Sequence, residues 1–173
     1  EQADKLASAS VNHRRLLAGV AADVIKWVEN RNRAEALLKN LFFDKDEEVR
    51  KQAADVFRHV KENEVELYQD LAGVFLKSPA FFEDGFAVMR MLEEATCDVL
   101  ALVVEAAQQT MRNITAEGYQ YANAYPIHDL LKKEYALSES KPEARRKILD
   151  MIDLMISNEI YGVDNILTVH DRW

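Results

Sequence analysis

The feature that most constrains this chain is the spacing of its apolar residues, which recur every three or four positions along nearly its whole length. That spacing gathers them on one face of an α-helix and fits no alternating strand. In HRRLLAGVAADVIKWVEN the stripe is Leu16, Val20, Val24 and Trp27, widened by Leu17 and Val28. A helix is expected from about Lys5 to Glu29, with Ser8 or Ser10 as its cap. AEALLKNLFF turns Ala34, Leu37, Leu38 and Leu41 inward, and Asp44 or Asp46 can cap the helix that follows. That helix carries Val49, Ala53, Val56, Phe57 and Val60 on its inner face, with Glu47 and Glu48 in the first turn, where the helix dipole favours them.

The same grammar repeats downstream. Val65, Tyr68, Leu71, Ala72 and Phe75 form one stripe, and Ser78-Pro79 breaks it. Phe82, Phe86, Met89 and Leu92 form the next. A third pair starts at Cys97 with a nearly all-apolar run, is closed by Gly118, and continues after an aromatic connector, Tyr119 to Tyr125. Pro126 and Pro142 suit first helical turns. Ile148, Met151, Ile152 and Met155 line the last long helix, and a short element opens at Gly162. About nine helices in antiparallel hairpins result, and no linker divides residues 1–173, so one domain is expected.

Composition narrows the function classes. Five Gly and three Pro in 173 residues are too few for the tight turns of an all-β fold or the phosphate-cradling loops of an α/β enzyme. With 49% hydrophobic and 30% charged residues the chain is not a disordered one. Twenty-two basic against 30 acidic side chains give a net charge of -8, which argues against nucleic acid or an anionic membrane as partner. No apolar run is long enough to cross a bilayer, and the N-terminal residues do not read as a signal peptide. A cytoplasmic setting is expected. The single Cys97 reads as a buried, inert thiol. Because the first residue is not Met, the chain is expected to be a segment of a longer polypeptide. In that case Leu16, Val20 and Trp27 on the first helix would lack a neighbour and be partly exposed.

Two stretches carry a resemblance. Asp44 to Val60, DKDEEVRKQAADVFRHV, resembles a HEAT repeat, in which an Asp-bearing turn is followed by Val-Arg and then Ala. Those residues are Asp44, Val49, Arg50 and Ala53. Val49 fills the groove between hairpins, Arg50 reaches turn carbonyls or an Asp of a neighbouring repeat, and Ala53 lets helices approach closely. The resemblance implies an all-α, right-handed α-α superhelix of two helical layers. The C-terminal third is similar to the closing segment of bacterial STAND-class signal-transduction NTPases with a NACHT-like core. The matching residues are Leu130-Leu131, Leu149 to Asp153, Tyr161-Gly162-Val163-Asp164 and Arg172. This resemblance implies sensing or autoinhibition, often in antiphage defence. It implies no ATP hydrolysis by this segment, since GxxxxGK[ST] is absent.

Candidate chemistry is sparse. Asp150, Asp153 and Glu159 read as a solvated, salt-bridged face beside Arg145, Arg146 and Lys147, and not as a metal or acid–base cluster. His13, His59, His128 and His170 show no metal-ligand spacing. No catalytic residue, cofactor or metal site is expected. The expected function is recognition of a protein, or of a neighbouring domain of the same chain, on a concave surface lined by second helices of the hairpins. Arg50, Arg58, Lys61, Arg90, Glu93 and Glu94 are the candidate polar lining, and Tyr119, Tyr121 and Tyr125 a candidate aromatic patch. Tyr161 and Gly162 are assigned to structure, the glycine ending a helix. Two other readings stay open: an independent HEAT-type adaptor, and a small helical ligand-binding domain or enzyme.

Overall fold

The structure, a computed structural model, describes residues 8–117, 124–160 and 166, with the side chains of 113–126 outside that description. Among the described residues there are nine α-helices and no strand. In chain order they are α1 (Val11–Val24), α2 (Arg31–Leu41), α3 (Glu47–Ala54), α4 (Gln69–Leu76), α5 (Pro79–Asp84), α6 (Phe86–Glu94), α7 (Leu100–Glu117), α8 (Ala124–Leu137) and α9 (Pro142–Ser157). A 3-10 turn, Asp55–His59, extends α3, and another, Val65–Tyr68, leads into α4.

Local chemistry sets several boundaries. The Ser10 hydroxyl accepts from the His13 N–H at 3.3 Å and caps α1. Asp46, not Asp44, caps α3, accepting from the N–H groups of Glu48 (3.1 Å) and Val49 (3.3 Å). Pro79 and Pro142 occupy first turns, where a missing N–H costs nothing. The stretch expected to run unbroken past Phe82 is split at Gly85. A side chain there would put its Cβ 2.6 Å from the Phe81 carbonyl oxygen, so only glycine lets α6 turn away from α5 at this point. The left-handed residue that ends α9 is Glu159, at φ 59°, where the Ile160 N–H reaches back to the Met155 carbonyl at 3.1 Å.

Packing follows a regular order. Hairpin neighbours touch: α1 with α2, α2 with α3, α4 with α5, α7 with α8 and α8 with α9. Helices further along the chain also touch, in two rows. One row runs α2, α4, α7, α9; the other runs α1, α3, α5, with the Asp55–His59 turn meeting α6 and α6 meeting α8. Between the rows lies an aromatic centre. Phe75 on α4 stands 5.0 Å from Phe42, 4.9 Å from Phe57 and 6.1 Å from Phe81, centroid to centroid, and all four rings are buried.

The inner faces of α2, α3, α4 and α9 contain the expected apolar residues; Ile148, Met151, Ile152 and Met155 are all buried. Helix α1 differs. It starts at Val11 and stops at Val24, and its buried residues are Arg14, Ala18 and Ala21, followed by Ile25. Leu16, Val20 and Trp27 are 68%, 49% and 59% exposed. The small residues face inward because α3 packs closely there, and because Arg14 has a buried partner across that contact.

That partner is Asp44. Arg14 Nε and Nη2 donate to its two carboxylate oxygens at 2.7 and 3.0 Å, and Nη1 donates to the Ala9 carbonyl at 2.5 Å. Arg50 repeats the arrangement. Its Nη1 donates to the Asp44 carbonyl at 2.5 Å, and its Nε and Nη2 hold both oxygens of Glu83, the former at 2.7 Å. Each arginine thus ties its helix to the preceding turn and to the next hairpin with bidentate, charge-assisted bonds. Burial by itself would raise the Asp44 pKa. The Arg14 guanidinium and the Asp46 N–H, 2.9 Å from Oδ1, outweigh it and hold the carboxyl below its usual range.

Candidate functional site

The Asp55–His59 turn and α6 enclose a groove of about 360 Å³. Its floor is apolar because Phe57, Ala87 and Met91 belong to the buried stripes of the two elements. Its rim is charged. Arg58 pairs with Asp55 at 2.5 Å and with Asp84 at 3.0 Å, and Arg90 pairs with Glu94 at 2.7 Å. These carboxylates raise the pKa of both arginines further, so the rim cations stay charged. Phe86, expected in the core, is 68% exposed and stands at the lip of the groove. The break at Gly85 restarts the helix, so Ala87, Val88, Met91 and Leu92 take the inward positions and Phe86 turns out.

The far end of α6 is held from the next hairpin. Lys133 Nζ on α8 donates to the carbonyls of Glu93 (2.5 Å), Ala95 (2.9 Å) and Leu92 (3.4 Å). A cation on the last carbonyls of a helix satisfies groups that α6 itself leaves open and favours its dipole. The groove therefore has one wall fixed by a glycine break and a lysine cap.

The residues read from sequence divide between this groove and other places. Arg58, Arg90 and Glu94 line it together. Lys61 and Glu93 are exposed but lie outside its lining. Arg50 is committed to Asp44 and Glu83 and joins hairpins. Val49 and Ala53 are fully buried beside it. Tyr119, Tyr121, Tyr161 and Gly162 lie outside the described residues, as do Gly118, Asp164, Arg172 and the Tyr125 side chain. Cys97 is half-buried, its sulfur 3.4 Å from the Gln69 amide. Arg145, read as part of a solvated face, instead stacks over the Tyr135 ring at 4.3 Å.

A second concavity of about 420 Å³ lies on the other row, where α4 and α7 meet, with half-exposed Phe43 at its edge and Lys77 and Asp70 beside it. It is shallower and lacks a clustered charged rim. Among the described residues no three His, Cys, Asp or Glu side chains lie close enough to hold a metal ion. Among them, too, no helix is long and apolar enough to cross a membrane.

The groove offers an aromatic lip, an apolar floor and paired charges. Both carboxylates in its lining, Asp84 and Glu94, are paired with its arginines, Arg58 and Arg90. Compared with protein-family models, with curated proteins and with solved structures, the chain matches none.

Proposed function

We propose that this chain is a non-catalytic regulatory or scaffold domain, built as a HEAT-like right-handed superhelix, that holds a protein segment or a neighbouring domain in the groove between the Asp55–His59 turn and α6. The observation that carries the reading is Phe86, a large ring left 68% exposed over an apolar floor and beside two arginines. An exposed aromatic next to Arg is the composition of an interface centre, where burial on binding contributes most. The two rows of helices and the repeated arginine ties of Arg14 and Arg50 support the stacked-hairpin architecture, in which each unit contacts only its neighbours.

The resemblance of the C-terminal third suggests the setting. The domain belongs to the C-terminal tail of a STAND-like NTPase, and the groove's occupant is a domain of that same polypeptide. The test replaces Phe86 with the photo-crosslinker p-benzoylphenylalanine in the complete gene product. A crosslink from position 86, absent from exposed position 154 on α9, is the expected result. Equal crosslinking from both positions, or none from 86, would contradict the reading.

A further inference from the structure

Arg58 joins the two walls of the groove. It stands on the Asp55–His59 turn, and its Nη2 reaches Asp84 Oδ2 at 3.0 Å, at the end of α5 just before α6 begins. Both residues line the groove. The same guanidinium pairs through Nε with Asp55 at 2.5 Å, three residues back on its own turn and outside the lining. The two ends of the Arg58–Asp84 pair are held unequally. Asp84 follows Glu83, whose carboxylate Arg50 grips through Nε and Nη2 in a largely buried pair. Gly85 comes next, against the Phe81 carbonyl too closely to admit a Cβ. Asp84 is therefore fixed between two anchored neighbours. Arg58 has a long side chain, 54% exposed, and a second carboxylate to turn to.

We propose that the Arg58–Asp84 pair is a latch on the groove. Arg58 moves between a closed position, shared by Asp84 and Asp55, and an open one in which Nε and Nη2 both turn to Asp55. Leaving Asp84 does not strand the guanidinium, because its fork matches a single carboxylate bidentately. An ion pair this exposed is worth little in water, so the two positions differ in population by a factor of about five or less. Asp84 is the fixed keeper and Arg58 the moving bolt. The latch acts on the groove assigned above as the docking site and rests on that reading for its use: closed, it excludes a segment that the open groove admits.

The experiment uses the chain alone, so its failure leaves the docking reading standing, and a failure of docking leaves the latch. Cys97→Ser removes the native thiol, and Ala87→Cys puts one on the groove floor. Alkylation by iodoacetamide, a neutral reagent, reads access to it. Asp84→Asn abolishes the closed position and should speed alkylation by about two- to fivefold. Asp55→Asn removes the partner of the open position and should slow alkylation by a similar factor. Loss of either carboxylate changes the local charge in the same sense, so altered thiol ionisation cannot give opposite signs. Met91→Cys supplies a second thiol on the same floor and should show the same two signs. An Asp84→Asn rate no faster than that of the thiol-bearing parent, or an Asp55→Asn rate no slower, would overturn the latch.

Discussion

Arg14 and Arg50, 36 positions apart, make the same three contacts: Nη1 to a carbonyl just before the helix, and Nε with Nη2 to a carboxylate of the next hairpin. Asp44 sits in both. Its carboxylate receives Arg14 and its carbonyl receives Arg50, so this one turn links α1, α3 and, through Glu83, α5.

This arrangement sets a pH dependence. The folded state holds the Asp44 carboxyl below its unfolded value. The unfolded chain therefore takes up the proton first as pH falls. The stability that Asp44 contributes is complete above the ordinary carboxylate range, and is lost as pH drops through the lowered value. Asp44→Asn should lower the melting temperature at pH 7 by roughly 5 °C, and the gap to the parent should close in acid. Thermal melts by circular dichroism from pH 7 to pH 3 check this.

Glu134 predicts the opposite sign. It is nearly buried on α8 and its carboxyl is raised, first by burial and further by Asp98, against the pull of Lys133 and Lys141. A raised folded value means the folded state binds the proton more readily, so this group costs stability as pH rises through its titration. Glu134→Gln should melt higher than the parent at pH 7. The advantage should vanish below the ordinary carboxyl range, where the parent is protonated in both states.

The aromatic centre predicts the largest single loss. Phe75 touches three other rings and is fully buried. Phe75→Ala removes the ring and leaves a cavity that its neighbours only partly fill, costing about 3–5 kcal/mol. Urea unfolding should show that loss in the midpoint with little change in slope.

Two backbone positions should respond in opposite directions. Gly85→Ala forces a methyl to within 2.6 Å of the Phe81 carbonyl oxygen, which is main chain and cannot swing aside. It should cost about 2 kcal/mol and re-aim Phe86. Glu159→Gly removes the penalty of a left-handed residue at the end of α9 and should add about 1 kcal/mol, or 2–4 °C. Paired melts of the two variants check both signs.

Much of the fold was legible because large apolar residues and inward positions coincide in α2, α3, α4 and α9. In α1 they do not. There the close helix contact is made by Ala18 and Ala21, and a buried charge pair draws Arg14 inward, so a stripe read by size pointed the wrong way round. Phe86 misled for a related reason: its spacing from Phe82 fits one continuous helix, and Gly85 divides that helix in two. Arg58, Arg90 and Glu94, read from sequence as part of one polar lining, do lie together around the groove between the Asp55–His59 turn and α6. The role of Arg14 was not found, since no Val precedes it; its 36-residue offset from Arg50 is the signal that marks it.

The most direct test of the groove uses a fluorescent side chain at its lip. Phe86→Trp, with Trp27 and Trp173 replaced by Phe, places one indole at position 86. In the isolated chain its emission should be that of a solvent-exposed indole and be quenched strongly by iodide. In the complete gene product the account predicts a blue shift and quenching weaker by about tenfold. The same emission and the same quenching in both would contradict it.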